Sequence, residues 1–279
     1  MKVKDVMSRD VVHVSVPGNR EKALFLMKKE NVSVVPVVKN DTNKLVGILT
    51  RSDVINNPDE EQIVMLMTRD LITATEDEKL SDVCRKMVEN NIRRVPVVDD
   101  EGELIGIVTS FDIVSSAIAN MDIKDPVGDY MITTIPATWD ETPLNVAFEV
   151  MSFFGLKSVI ALNSNNKMTG ILTETDFIAE SEIISERSEH SSSVGTEGDK
   201  WSWDSTSVLY IEKNRLKFTD KVVKDVASEN VVTANTLTKV SVCAEKMRSL
   251  DVEQLPITGI EGELVGLVRA SDLIKALIK

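Results

Sequence analysis

The sequence predicts an α+β fold made of four β-α-β-β-α units. A seven-residue signature occurs four times, as GILTRSD (47–53), GIVTSFD (106–112), GILTETD (170–176) and, altered, GLVRASD (266–272). One spacing ruler runs through all four copies. Met7, Met67, Met131 and Ala227 each stand 20 positions before Met27, Met87, Met151 and Met247, and nine more lead to Pro36, Pro96, Ile160 and Pro256. The signature Gly follows after 11 positions in the first copy and 10 in the others, with its Asp six later. Within each copy the hydrophobic period also changes in the same order. Such self-similarity marks a repeat architecture.

The elements follow in chain order. The runs 11–16 (VVHVSV) and 71–76 (LITATE) read as short strands. Ala23, Leu24, Met27 and Val32 then recur at near-helical spacing, as do Leu80, Val83, Cys84, Met87 and Ile92. Two β-branched runs follow, SVVPVVK with KLVGILT and RVPVVD with ELIGIVT, joined by the polar turns NDTN and DDEG. A second helix starts inside each signature. One such unit is near the size at which a core is marginal, so units should pair. The expected pairs are 1–120, with repeats 1–56 and 61–120, and 121–279, with repeats 123–181 and 220–279 and an insertion at 182–219.

Composition limits the function classes. Apolar residues are 42% and charged residues 28%, as in a soluble globular protein. No apolar run approaches the roughly 20 residues that span a bilayer, and the start MKVKDVMSRD lacks a signal-peptide core. Cys84 and Cys243 make no disulfide framework, so a reducing cytoplasm is the expected setting. The net charge of −13 divides as −4 over residues 1–121 and −9 over 122–279, which argues against nucleic acid as a partner. A phosphate ligand must therefore be held by a local arrangement of donors.

The repeat unit, the PVV run and the G-h-h-T/S-x-x-D ending resemble the cystathionine-beta-synthase (CBS) domain. The resemblance covers nearly the whole chain apart from the insertion, and is nearest to stand-alone archaeal proteins with four copies. It implies two Bateman modules in a disc-like assembly. It also implies a non-enzymatic sensor that binds AMP, ADP, ATP or S-adenosylmethionine in clefts between paired units and changes conformation or partner association. The implied ribose ligands are Asp112, Asp53 and Asp176, and the implied phosphate ligands are Thr109, Arg94, Arg93, Thr50, Arg51 and Thr173. The implied adenine pockets are Ile107, Ile72, Thr73 and Pro96 in repeat two, and Ile48, Val12, His13 and Pro36 in repeat one. A homodimer is expected, with a further partner protein read through residues 182–219, and no membrane or metal. The competing reading is a scaffold whose clefts are vestigial.

The residues themselves reach part of this. Thr50 with Asp53 approaches a capping box at a strand-to-helix junction, worth about 1 kcal/mol with no ligand. A carboxylate can accept two hydroxyl bonds from a vicinal diol but repels phosphate, so Asp suits a sugar while Thr and backbone N–H suit the phosphate. Arg93 and Arg94 single out repeat two, since Arg binds phosphate bidentately; the plain alternative is a solvated surface pair. Repeat one has Val34 at the matching position but carries Arg51. Repeat three offers Lys157 and Ser158, loses the Pro to Ile160 and places Glu174 in its signature. Repeat four has Glu253 and Gln254 at the Arg pair and Arg269 for Thr. Arg269 reads either as degeneration or as a cation aimed at a neighbouring cleft.

The insertion begins Ser-rich (SERSEHSSSVGTEGDK), which reads as a mobile loop, and continues with SVLYI and RLKF flanking EKN, a hairpin pattern. Trp201 and Trp203 there suggest a flap, an interface or a recognition surface, or else the cover of a sheet edge. His13 and His190 are far apart and fit no metal pattern; His13 reads as a partly buried structural imidazole. Cys84 and Cys243 read as core packing. No P-loop or G-x-G-x-x-G follows a strand.

Overall fold

The helix that opens each copy is amphipathic, and its burial follows the ruler. In the computed structural model, α1 (Arg20–Lys29) buries Ala23 and Met27 and is capped by Asn19, whose side chain accepts a bond from the Lys22 N–H at 3.1 Å. The helix α2 (Leu80–Glu89) buries Leu80, Val83, Cys84 and Met87. The helices at Leu144–Phe153 and Val240–Leu250 do the same with Met151 and Met247. The fourfold Met is therefore core. The structure describes residues 1–30, 32–57, 60–156, 158–173, 176–177, 181–192, 207–218, 220–228 and 231–278.

Each helix leads into an antiparallel hairpin: β2 (Val34–Lys39) with β3 (Leu45–Thr50), β4 (Arg94–Val98) with β5 (Leu104–Thr109), and β7 (Ser158–Leu162) with β8 (Met168–Thr173). In repeat four, β12 (Gln254–Thr258) lies beside β13 (Leu264–Arg269). At one equivalent position of all four turns the chain has positive φ, at Asn43, Gly102, Asn166 and Gly262, and residue choice follows that demand.

The strand predicted at 11–16 is shorter, only β1 (Val14–Val16), and that at 71–76 reduces to one bridge, Ala74 with Val97. Proline supplies the reason. β1 pairs parallel to β2 from Val37 onward, because Pro36 has no N–H to donate; Pro96 likewise offers only its carbonyl, to Ala74 N–H at 3.0 Å. Repeat three tests this. Its Ile160 replaces the Pro, and β6 (Ala137–Trp139) pairs one position earlier, from Ile160 itself.

The described chain forms two compact units, Met1–Thr133 with Val232–Ile260 and Val265–Lys279, and Thr134–Val231 with Glu261–Leu264. In the first unit, repeats one and two exchange their leading segments. Ser8 pairs with Ile107, and Thr68 with Ile48, each through two N–H···O bonds of 2.9 Å. The exchange explains the signature Gly. A β-carbon at Gly106 would lie 2.9 Å from the Met7 sulfur, and one at Gly47 2.5 Å from that of Met67. Gly266 meets Met131 in the same way. Repeats two and four share one core in this unit, with Cys84, Val108 and Ile113 joined to Cys243, Leu255 and Val268, while repeat one keeps its own around Met27, Val37 and Leu49.

In the second unit, Leu144, Met151, Leu172 and Phe177 form the core, and Phe148 meets Phe177 edge-on at 5.4 Å. Ser228 pairs with Ile171, placing Ala227 against Gly170. The insertion differs from expectation. Residues 207–218 are one strand, β10 (Ser207–Phe218), antiparallel to β9 (Ser181–Ser192), with Lys213 opposite Glu186. EKN is therefore strand rather than turn, having no Gly to take a left-handed conformation, and the first part of the Ser-rich stretch is also strand. Trp201, Trp203, Lys157 and Glu174 lie outside the described residues. Among the described residues no helix is long and apolar enough to cross a membrane.

Candidate functional site

Strand alternation builds the site. In repeat two, Val95, Val97 and Val108 face the core, so Arg94, Pro96, Ile107 and Thr109 share the other face. Arg94 stands directly opposite Thr109, and Pro96 opposite Ile107. Repeat one places Val34 opposite Thr50 and Pro36 opposite Ile48; repeat three places Ser158 opposite Thr173. Val12 and His13 line a surface cavity of about 410 Å³ with Arg9, Asn43 and Leu104, which Pro36 and Ile48 do not join. His13 is exposed, not partly buried as expected. It precedes β1, where no strand encloses it, and its Nδ1 is 2.9 Å from the Val11 carbonyl oxygen.

The signatures of repeats one and two end in a reciprocal cap. Thr109 accepts from Asp112 N–H at 3.0 Å, while Asp112 Oδ2 accepts from Thr109 N–H at 2.8 Å and from the Thr109 hydroxyl at 2.7 Å. This opens α3 (Ser110–Ser116). Thr50 with Asp53 repeats the geometry at 2.8 and 2.7 Å, and in repeat three Thr173 donates to Asp176 Oδ2 through its N–H at 2.7 Å and its hydroxyl at 2.8 Å. In all three copies the Thr donors occupy Oδ2. Among the described residues nothing donates to Oδ1, which stays available to a hydroxyl.

Repeat four is different. Asp272 is only 2% exposed, and both its oxygens are engaged. Oδ2 accepts from Arg269 Nε at 2.8 Å and from Arg269 N–H at 3.2 Å; Oδ1 accepts from Arg269 Nη2 at 3.2 Å and Lys275 Nζ at 3.0 Å. Burial pushes the Asp272 pKa up, but these bonds outweigh it and hold the carboxyl below its ordinary value. Arg269 is thus spent on its own copy's carboxylate.

The cations of repeat two are arranged otherwise. Arg94 is half-buried and, among the described residues, its guanidinium makes no hydrogen bond or ion pair. Burial lowers its pKa first; the carboxylates of Glu253 and Asp112 oppose this, and Arg93 adds to it. Arg93 is exposed and 3.7 Å from Glu253 of repeat four. Arg51 turns back on repeat one, donating to the Val32 carbonyl at 3.3 Å. Ile72 and Thr73 are half-buried, and the Thr73 carbonyl accepts from Lys86 Nζ at 2.9 Å. Sequence reasoning did not find the roles of Lys86 and Lys275. Lys275 was legible as a cation three residues after Asp272 on one helical face; Lys86 had no local signal.

Comparison with known proteins completes the description. The CBS domain family matches residues 3–60, 61–118, 127–182 and 223–279. MJ1225 of Methanocaldococcus jannaschii is 29% identical over 197 residues, 63% of this chain and 68% of that protein. Its crystal structure agrees with a TM-score of 0.71 at 20% identity, covering 99% of both chains. The crystal structure of an uncharacterized conserved protein from Pyrococcus horikoshii agrees with a TM-score of 0.70 at 26% identity, covering 99% of this chain and 100% of that one. The CBS domain pair of MJ0100, crystallised in complex with 5′-methylthioadenosine and S-adenosyl-L-methionine, is 38% identical; it covers 40% of this chain and 96% of that one with a TM-score of 0.38.

Proposed function

This chain belongs to the CBS-domain family, with four copies of the domain, and from that premise we propose that it is a non-enzymatic sensor of an adenine nucleotide, bound chiefly in repeat two. The carrying observation is Arg94. Its half-buried guanidinium makes no direct hydrogen bond or ion pair among the described residues and feels the Glu253 and Asp112 carboxylates only at longer range, so a bound anion would satisfy it. It shares its face with Thr109, and Asp112 keeps one oxygen for a ribose hydroxyl. Ile107, Ile72, Thr73 and Pro96 supply the apolar wall for the base. Repeats one and three keep the Thr–Asp pair, with Asp53 and Asp176 as their ribose ligands, but lack a counterpart of Arg94.

Ligand binding shifts the orientation of paired units by its differential affinity for two states, and a partner protein reads the change. The module boundaries 1–120 and 121–279, a homodimer, a cytoplasmic setting and a partner contact through residues 182–219 belong to the same proposal. One observation favours the scaffold reading for a single copy: Asp272 has both oxygens engaged, so repeat four is closed.

Calorimetric titration with AMP, ADP, ATP and S-adenosylmethionine tests the assignment. The expected result is binding by the wild type, weakened at least about tenfold by Arg94→Gln and by Asp112→Asn, as for loss of a charge-assisted contact. Unchanged affinity in both variants, or no binding by the wild type, overturns it.

A further inference from the structure

Positions 93 and 253 are equivalent in the repeat frame, and their backbones act alike. The Arg93 carbonyl accepts from Ser110 N–H at 2.9 Å, and the Glu253 carbonyl from Ala270 N–H at 2.8 Å, each tying its hairpin to the following helix. The first unit brings the two equivalents together, and their side chains meet at 3.7 Å. They stay 45% and 53% exposed, and an exposed pair of that length contributes little to stability. The fold therefore does not require a carboxylate at 253.

The site feels it instead. Glu253 stands 3.7 Å from Arg93 and acts on Arg94 as well, more strongly than Asp112 does. With Asp112 assigned to the sugar, the phosphate end holds two cations and one anion, a net single positive charge. That complements a phosphate monoester, which carries about −1.5 to −2 near neutral pH. Each further phosphate adds negative charge at an end where the Glu253 carboxylate already stands beside both arginines, and like charges repel.

Resting on the nucleotide reading above, we propose that Glu253 is a specificity-determining residue that makes the repeat-two site prefer nucleoside monophosphates over triphosphates. Glu253 frees no ligand contact of its own; it holds Arg93 and opposes distal phosphates. The competing role, a surface ion pair without effect on ligand choice, predicts no change in selectivity.

The test compares AMP and ATP affinities by calorimetry, without divalent metal, in the wild type, Glu253→Gln and Asp112→Asn. Thermal melting of the apo proteins checks that they fold alike. The ratio of ATP to AMP affinity should rise about three- to tenfold in Glu253→Gln, whereas Asp112→Asn should weaken both nucleotides alike and leave the ratio unchanged. Nucleotide binding that depends on Asp112 but keeps the same ratio in Glu253→Gln overturns the proposal while the nucleotide reading stands. No binding of either nucleotide by the wild type overturns both.

Discussion

At the scale of the residue, Asp272 shows how one substitution converts a site into a structural cap. In three copies the Thr donates to one oxygen of the Asp and leaves the carboxylate half satisfied; in the fourth, Arg269 and Lys275 complete it. Because the Asp272 carboxyl is held below its ordinary value, its contribution is fully present above the unfolded carboxylate pKa and is lost as pH falls through the folded one. Asp272→Asn should thus cost about 1–3 kcal/mol at pH 7 in urea unfolding, and the gap to wild type should narrow below about pH 4. A gap that stays constant with pH would assign the loss to packing. The cysteines make a second residue-scale case. Burial pushes the Cys84 thiol up to about 12 and the Cys243 thiol up to about 11. Neither should react with a thiol reagent at pH 8 in the native protein, and both should react in denaturant; native reactivity would contradict the packing.

At the scale of the element, the signature serves two requirements at once. Its Thr–Asp end caps a helix, and its Gly end admits the Met of the partnered repeat. Gly106→Ala should therefore destabilise by about 1–3 kcal/mol through overpacking. Met7→Ala should reduce that penalty, since it removes the sulfur 2.9 Å from the new β-carbon; a double-mutant cycle in chemical unfolding measures the coupling. Zero coupling would mean that the contact does not constrain the position. Helix faces, hairpins, capping pairs and turns were all legible in the sequence, because each depends on neighbours within a few positions. The first strands were over-read for a reason equally local, the missing N–H of Pro36 and Pro96. The long pairing of β9 with β10 was not legible, since polar serines carry no signal for a partner so far along the chain.

At the scale of the whole molecule, repeats two and four depend on one another. Their common core joins Cys84, Ile113 and Val114 to Cys243, Leu255 and Leu273. Leu255→Ala should lower stability by about 2–5 kcal/mol and weaken the core beneath the repeat-two site, although it lies in another copy. Differential scanning calorimetry should show the transition of this unit shifting as one; an unchanged repeat-two transition would argue that the copies unfold independently.

The sequence by itself determined four copies of one unit, the faces of their helices and hairpins, the polar turns between strands and the Thr–Asp caps. These are consequences of local stereochemistry and hydrophobic period, repeated often enough to be read with confidence from spacing alone. It also marked Arg94 as the cation to consider. Only the tertiary structure decided that the Arg94 guanidinium makes no hydrogen bond or ion pair among the described residues while Arg93 meets Glu253, that Arg269 turns onto Asp272, and that each Gly receives the Met or Ala of another copy. Those facts join residues far apart in the chain, and long-range packing selects them from many pairings that local sequence allows equally well.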